Sequence, residues 1–100
     1  MLTVIAKIKI KPDQASAFEA EARKMTAHVR ANEPGTLTYV CHRGAADPTV
    51  YLFYEVYRDQ AAFAAHGGSP AMQSFFGAIR GIVDGRPEID MYEALSDTAG

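Results

Sequence analysis

The sequence predicts one α+β domain of the split βαβ kind, with its elements in the order strand, helix, strand, strand, helix, strand. Three observations carry this. Residues 2 to 10 alternate between apolar and other side chains, residues 15 to 29 carry an apolar stripe at spacings of three and four, and two β-rich runs, 36 to 43 and 49 to 57, flank the five residues Gly44-Ala45-Ala46-Asp47-Pro48.

In the first strand the even positions Leu2, Val4, Ala6, Ile8 and Ile10 are apolar, while Thr3, Lys7 and Lys9 fall among the odd ones. Pro12 and Asp13 signal a helix start. Ala15, Phe18, Ala22, Met25 and Val29 then form the buried stripe of an amphipathic helix, with Glu19, Glu21, Arg23 and Lys24 on its wet side. Asn32-Glu33-Pro34-Gly35 stops that helix and turns the chain, because Pro34 cannot continue a helix and Gly35 tolerates a positive φ. The two β-rich runs form an antiparallel hairpin, and the second, reading Thr49-Val50-Tyr51-Leu52-Phe53-Tyr54-Glu55-Val56-Tyr57, is apolar enough to be a central strand buried on both faces. Asp59 caps a short helix bearing Ala62, Phe63 and His66, Gly67-Gly68-Ser69-Pro70 breaks it, and Met72, Phe75, Phe76 and Ile79 resume helical spacing. Residues 86 to 95 read as a last strand, so that residues 1 to 95 make the domain and residues 96 to 100 a frayed tail.

The result is a ferredoxin-like, four-stranded antiparallel sheet with its helices on one face. If the even residues of the first strand face the helices, Val50, Leu52, Tyr54 and Val56 are expected to face them too. That leaves Ile5, Tyr51, Phe53 and Tyr57 on the open face, with Glu55 beside them and Lys7 as its partner across the strands. An aromatic patch of that size seldom stays in water, so two sheets packed face to face as a homodimer are expected.

Composition narrows the function classes. The 100 residues are 48% hydrophobic and 22% charged, with a formal charge of -2 and no basic stripe, which argues for a folded domain and against nucleic acid as a partner. Lys7 and Lys9 interrupt the apolar start, so neither a leader nor a membrane span is expected, and the lone Cys41 agrees with a reducing cytoplasm.

No Cys/His spacing suggests a metal, and no glycine loop matches a phosphate cradle. His28, near the polar face of the first helix, and His42, near a strand end, read as ordinary surface residues. Cys41 reads as core, and Ser69 lacks the setting of a nucleophile. His66 differs, because it ends a helix just before a Gly-Gly break and is surrounded in sequence by Phe63, Met72, Phe75 and Phe76, from where it can reach an apolar cleft. A cation at a helix C-terminus is its structural alternative.

Asn32-Glu33-Pro34-Gly35-Thr36-Leu37-Thr38-Tyr39, Phe53-Tyr54-Glu55-Val56-Tyr57-Arg58-Asp59 and Ala61-Ala62-Phe63-Ala64-Ala65-His66-Gly67-Gly68-Ser69-Pro70 together resemble the signature of antibiotic biosynthesis monooxygenase domains. The resemblance spans nearly the whole chain and implies a dimeric α+β barrel. It further implies one of several activities: oxidation of quinols or anthrones without metal or flavin, isomerisation of a signalling-molecule phosphate, or haem breakdown. Many members carry another histidine after the Ser-Pro pair, where this chain has Ala71-Met72. The haem-degrading relatives use an Asn in the first strand, a Trp near the position of His66 and a later histidine; this chain has no Asn before Asn32, no Trp, and Phe76 or its neighbours at the third place.

The expectation that follows is a cofactor-independent oxygenation of a small phenolic, quinol or anthrone-like molecule. An electron-rich diphenol or anthrone reacts with oxygen once deprotonated, so the protein need supply only a base, a dry pocket and orientation. His66 is the expected base, Tyr39 and Tyr54 the hydroxyls aimed into the cleft, and Phe63, Met72 and Phe75 the walls around the ring, though each can equally be core filling. An isomerase working on an enolisable molecule through the same histidine, and a non-catalytic ligand-binding dimer, are the alternatives.

Overall fold

A computed structural model describes residues 1–98, so residues 99 and 100 of the expected tail lie outside the described residues. The chain runs β1 (Leu2–Lys9), α1 (Ala15–Asn32), β2 (Thr36–Arg43), β3 (Val50–Tyr57), α2 (Gln60–Gly67), α3 (Pro70–Ile79) and β4 (Glu88–Glu93). The four strands form one antiparallel sheet in the order β2-β3-β1-β4, and the helices lie on one side of it. Among the described residues no helix is long and apolar enough to cross a membrane.

Register decides which residues meet the helices. Val4 pairs with Glu55, Ala6 with Phe53 and Ile8 with Tyr51, so the even residues of β1 share a side with the odd residues of β3. Directly paired residues in an antiparallel ladder point the same way, and a one-residue slip exchanges the two faces. The expected orientation of β3 is therefore reversed. Tyr51, Phe53, Glu55 and Tyr57 are buried on the helix side, at 2%, 2%, 5% and 0% exposure, and are not on the open face. Of the five residues expected there, Ile5 alone lies on it, together with Leu52, Tyr54 and Val56 of β3 and Val40 of β2. Lys7 pairs with Leu52 on that open side, so it is not a partner of Glu55.

On the helix side, Phe18, Ala22, Met25 and Val29 of α1 and Phe75 and Ile79 of α3 close over Ala6, Ile8, Tyr51 and Phe53. Phe18 stacks 4.6 Å from Tyr51 and meets Phe53 and Phe75 edge-on at 6.4 and 6.2 Å. Burying each such ring stabilises the fold by about 1.5–3 kcal/mol, and edge contacts add to this. At the rim, Glu19 of α1 ties the layers, because its Oε2 accepts from the Tyr51 hydroxyl at 2.5 Å and from Arg43 Nη2 at 2.6 Å.

The boundaries carry two further corrections. Gly35 does not adopt a positive φ; a Cβ there would sit 2.8 Å from the Cβ of Ala62, so the glycine allows α2 to lie against the start of β2. The last strand is shorter than residues 86 to 95, because Gly85, at a φ of 92°, and Pro87 occupy the approach to it, and Leu95 stands fully out in solvent.

Candidate functional site

The site is built around the break between α2 and α3. Asp59 starts α2 by accepting from the Ala62 amide at 2.8 Å, and eight residues later the helix ends at Gly67. Ser69 then caps α3, accepting from the Met72 amide at 3.1 Å while its hydroxyl donates to the His66 carbonyl at 2.8 Å, and Pro70 fills the first helical turn. Ser69 is thus committed to the backbone, and the double cap holds His66 in the last turn of α2, above the sheet.

There the side chain is 2% exposed. Its Nδ1 lies 2.8 Å from Glu33 Oε1, an oxygen that also accepts from the Thr36 hydroxyl at 2.9 Å. Glu33 Oε2 has His28 Nε2 3.4 Å away and no hydrogen bond of good geometry. A carboxylate is an acceptor only, so the proton of a neutral His66 sits on Nδ1 and the lone pair on Nε2. That Nε2 is buried without a hydrogen-bond partner.

His66 lines an apolar cavity of about 130 Å³ between the sheet and α2 and α3. Of the residues expected at the cleft, Tyr39, Phe63, Met72 and Phe75 line it with His66, and the Tyr39 ring lies 5.2 Å from the imidazole. Tyr54 does not. It stands 40% exposed on the opposite side of the sheet, paired with Ile5 and Val40, because the register of β3 turns the even residues outward. Phe53 and Glu55 take places on the cavity wall instead, and Phe76 and Ile89, both more than 40% exposed, extend it outward.

Two site residues were missed from the sequence. Glu33 stands in the Asn-Glu-Pro-Gly turn, a stop signal that drew attention to its proline and glycine. Glu55 was placed on the open face. In the structure its Oε1 accepts from the Tyr57 hydroxyl at 2.5 Å, and among the described residues no cation pairs with it. Burial pushes the Glu55 carboxyl above the usual carboxylate range, against the pull of the Tyr57 hydroxyl and of His66. Burial likewise pushes the hydroxyls of Tyr39 and Tyr57 far up, so both keep their protons.

Three larger hollows exist among the described residues; one, about 350 Å³, is lined by Glu33, Thr36 and Tyr39 beside the site, and two are bigger still. One, about 560 Å³, runs between α1 and β2 and is rimmed by Glu19, Arg23, Arg30 and Arg43, of which Glu19 and Arg43 already bind each other. The other, about 520 Å³, lies on the open side between Lys7, His42 and Tyr54. Neither of these two contains a buried, unpartnered base, so volume and chemistry point to different places, and the smaller cavity is the candidate site. Among the described residues no three His, Cys, Asp or Glu side chains gather as metal ligands. What the cavity brings together is an imidazole with an unpartnered nitrogen, a carboxyl inclined to stay neutral, the phenol of Tyr39 and carbon walls.

The profile of the antibiotic biosynthesis monooxygenase family matches residues 1–78. A crystal structure from Caulobacter crescentus carrying that family designation superposes with a TM-score of 0.92 at 32% identity, over 95% of this chain and 90% of that one. The crystal structure of PA3566 from Pseudomonas aeruginosa gives 0.86 at 30% identity, over 95% and 94%. In sequence the chain is 28% identical to the Synechocystis protein sll1783 over 92% of its own length, which spans 62% of that longer protein. It is 29% identical to YcnE of Bacillus subtilis, over 75% of this chain and 78% of the other.

Proposed function

Because this chain belongs to the antibiotic biosynthesis monooxygenase family, we propose that it oxidises a small phenolic, quinol or anthrone-like molecule with O2 and without a cofactor, His66 acting as the base. The observation that carries this reading is the pair of states of the His66 ring: Nδ1 is held by Glu33, and Nε2 is left buried and unpartnered at an apolar cavity. A phenol or enol that enters can hydrogen-bond to Nε2 and lose its proton there. The anion then transfers an electron to O2, and the two radicals recombine as a carbon-bound peroxide. Carbon walls keep water from the anion, while Glu33 stabilises the imidazolium that forms. A cavity of about 130 Å³ is of the order that holds one aromatic ring, since a dry cavity of about 150 Å³ accepts benzene, and the further rings of an anthrone would project past exposed Phe76 and Ile89 at its outer edge.

Isomerisation of an enolisable molecule is the second reading, and one observation favours it: His66 and Glu55 line the same cavity and could shuttle a proton between two carbons. Oxygen dependence separates the two. Oxygen uptake with a panel of hydroquinones and anthrones is expected, and His66→Ala should lower kcat/KM by about 10²-fold or more. Turnover that proceeds equally without O2 would favour the isomerase, and equal kcat/KM in wild type and His66→Ala would return His66 to a structural role.

The protein works as a homodimer in this reading, joined through the open side of the sheet. Val40 and Tyr54 are 43% and 40% exposed there, next to Ile5 and Leu52, and a second copy would cover them.

A further inference from the structure

Among the described residues, Glu55 is the buried carboxyl at the cavity that the oxygenation steps above leave unused. We propose that it is a second catalytic residue, the acid that gives a proton to the oxygen leaving when the O–O bond of the bound hydroperoxide breaks. This rests on the reading of the cavity as an O2-consuming site.

Glu55 sits in the middle of a strand whose inward neighbours are Phe53 and Tyr57, a place where a carbon side chain would pack without penalty. A carboxylate there, 5% exposed and with no cation among the described residues, is costly to bury, whereas the neutral acid is not. The Tyr57 hydroxyl holds Oε1, and among the described residues no side chain donates to the other oxygen. The carboxyl lines the same cavity as His66, so both touch an occupant. Burial also favours the protonated form.

The chemistry asks for such a group. For a substrate whose reacting carbon is a CH2 conjugated through arene rings to a carbonyl, as in anthrone, the first C–H proton goes to His66 and the carbanion combines with O2 to give a peroxide anion. That anion takes the proton back from His66 and becomes a hydroperoxide. In the next step His66 removes the second C–H proton, the C–H electron pair becomes the π bond of a new C=O, and the O–O bond breaks. The departing oxygen leaves as hydroxide unless it is protonated, and hydroxide in a carbon-lined space is a poor leaving group. With Glu55 as donor it leaves as water, and the proton on His66 then returns to the Glu55 carboxylate. One O2 is reduced, CH2 becomes C=O, one water is released, and both residues end as they began.

The test is the product balance during aerobic turnover of anthrone, corrected for the enzyme-free reaction, with ketone and peroxide measured together. Wild type should give ketone with little peroxide. Glu55→Gln, which keeps an acceptor for Tyr57 and carries no acidic proton, should raise the peroxide-to-ketone ratio by about 10²-fold, the scale of a positioned acid. Glu55→Asp, with its acid on a shorter stem, should fall between them. In wild type the same ratio should climb toward high pH as Glu55 loses its proton, and in Glu55→Gln it should be high throughout, without that climb. The titratable groups that face Glu55 are His66 on α2, Glu33 after α1, Tyr39 on β2 and Tyr57 on its own strand. His66 takes the C–H proton in both steps, so any loss of its lone pair acts toward low pH and slows both, whereas a rise of the ratio toward high pH belongs to Glu55. A wild-type ratio flat with pH, or folded Glu55→Gln releasing ketone and water as wild type does, overturns the role of Glu55 alone. Absence of oxygen uptake by wild type overturns it together with the reading on which it rests.

Discussion

The two sides of the sheet are made from the same strand and end up in opposite circumstances. β3 sends Tyr51, Phe53, Glu55 and Tyr57 into the layer beneath the helices, where none exceeds 5% exposure, and sends Leu52, Tyr54 and Val56 to the other side, where Tyr54 is 40% exposed. The chain's own helices satisfy the first side, and none of the described residues covers Val40 and Tyr54 on the second. Composition does not separate them, since both sides are aliphatic and aromatic. The difference is one of register: one side holds a cavity with a buried histidine, and the other presents apolar side chains to its surroundings.

The sharpest way to break that comparison is to place the same charge on each side. Phe53→Lys puts an unpaired cation where truncation to Ala alone would cost about 3–5 kcal/mol, a large part of the about 5–15 kcal/mol that stabilises a domain of this kind. It should abolish the cooperative urea transition. Tyr54→Lys should leave that transition and the far-ultraviolet circular dichroism in place and reduce the native mass to the single protomer of 10.9 kDa. If the two variants unfold alike, the sides are wrongly assigned.

Within the helix side, Glu33→Gln should slow turnover by about 10–100-fold, the scale seen when the carboxylate behind a ligating histidine is lost. Its amide can donate to Nδ1 and so let the ring proton move to Nε2, which removes the base without removing the ring. The signature is a changed tautomer in the nitrogen-15 shifts of His66. Unchanged shifts together with wild-type kcat would show that Glu33 does not orient the ring.

A smaller effect concerns the rim. The Tyr51 hydroxyl and then Arg43 hold the Glu19 carboxyl below its ordinary 4.5. A pKa depressed in the folded state means that the stabilisation is present above the unfolded value and is lost as pH falls through the folded one. The urea midpoint of wild type should therefore drop more than that of Glu19→Gln between pH 6 and pH 3, and equal slopes would count against the clamp. Smallest of all is the effect on Cys41, whose thiol burial pushes up to about 11. A thiol reagent at pH 7 should label it far more slowly in the native protein than in urea.

Much of this was legible in residues alone. The strand alternation of β1, the stripe of α1, the Asp59 cap and the Gly-Gly-Ser-Pro break all translate local chemistry into local structure, and His66 stood out for its place beside that break. The faces of β3 were not legible, because a strand apolar at nearly every position carries no alternation to read, and the pairing of Leu2 with Tyr57 rather than with a neighbour exchanges them. Tyr54 was misplaced for that reason and Glu55 with it. Glu33 was hidden differently: it lies 33 residues from His66, and that separation closes only when α2 has folded back over β2.

That closure depends on a residue that adds nothing to the cavity. With a methyl group at position 35, the Cβ of Ala62 would be met at 2.8 Å, well inside ordinary contact. Helix α2 would have to tilt away, carrying His66 with it, while Glu33, two residues earlier in the chain, stayed behind. Since a displacement of about 1 Å in a reacting group can lower a rate about 10²-fold, on the proposed mechanism the missing side chain of Gly35 serves as a gauge block, setting the reach of the imidazole from outside the cavity.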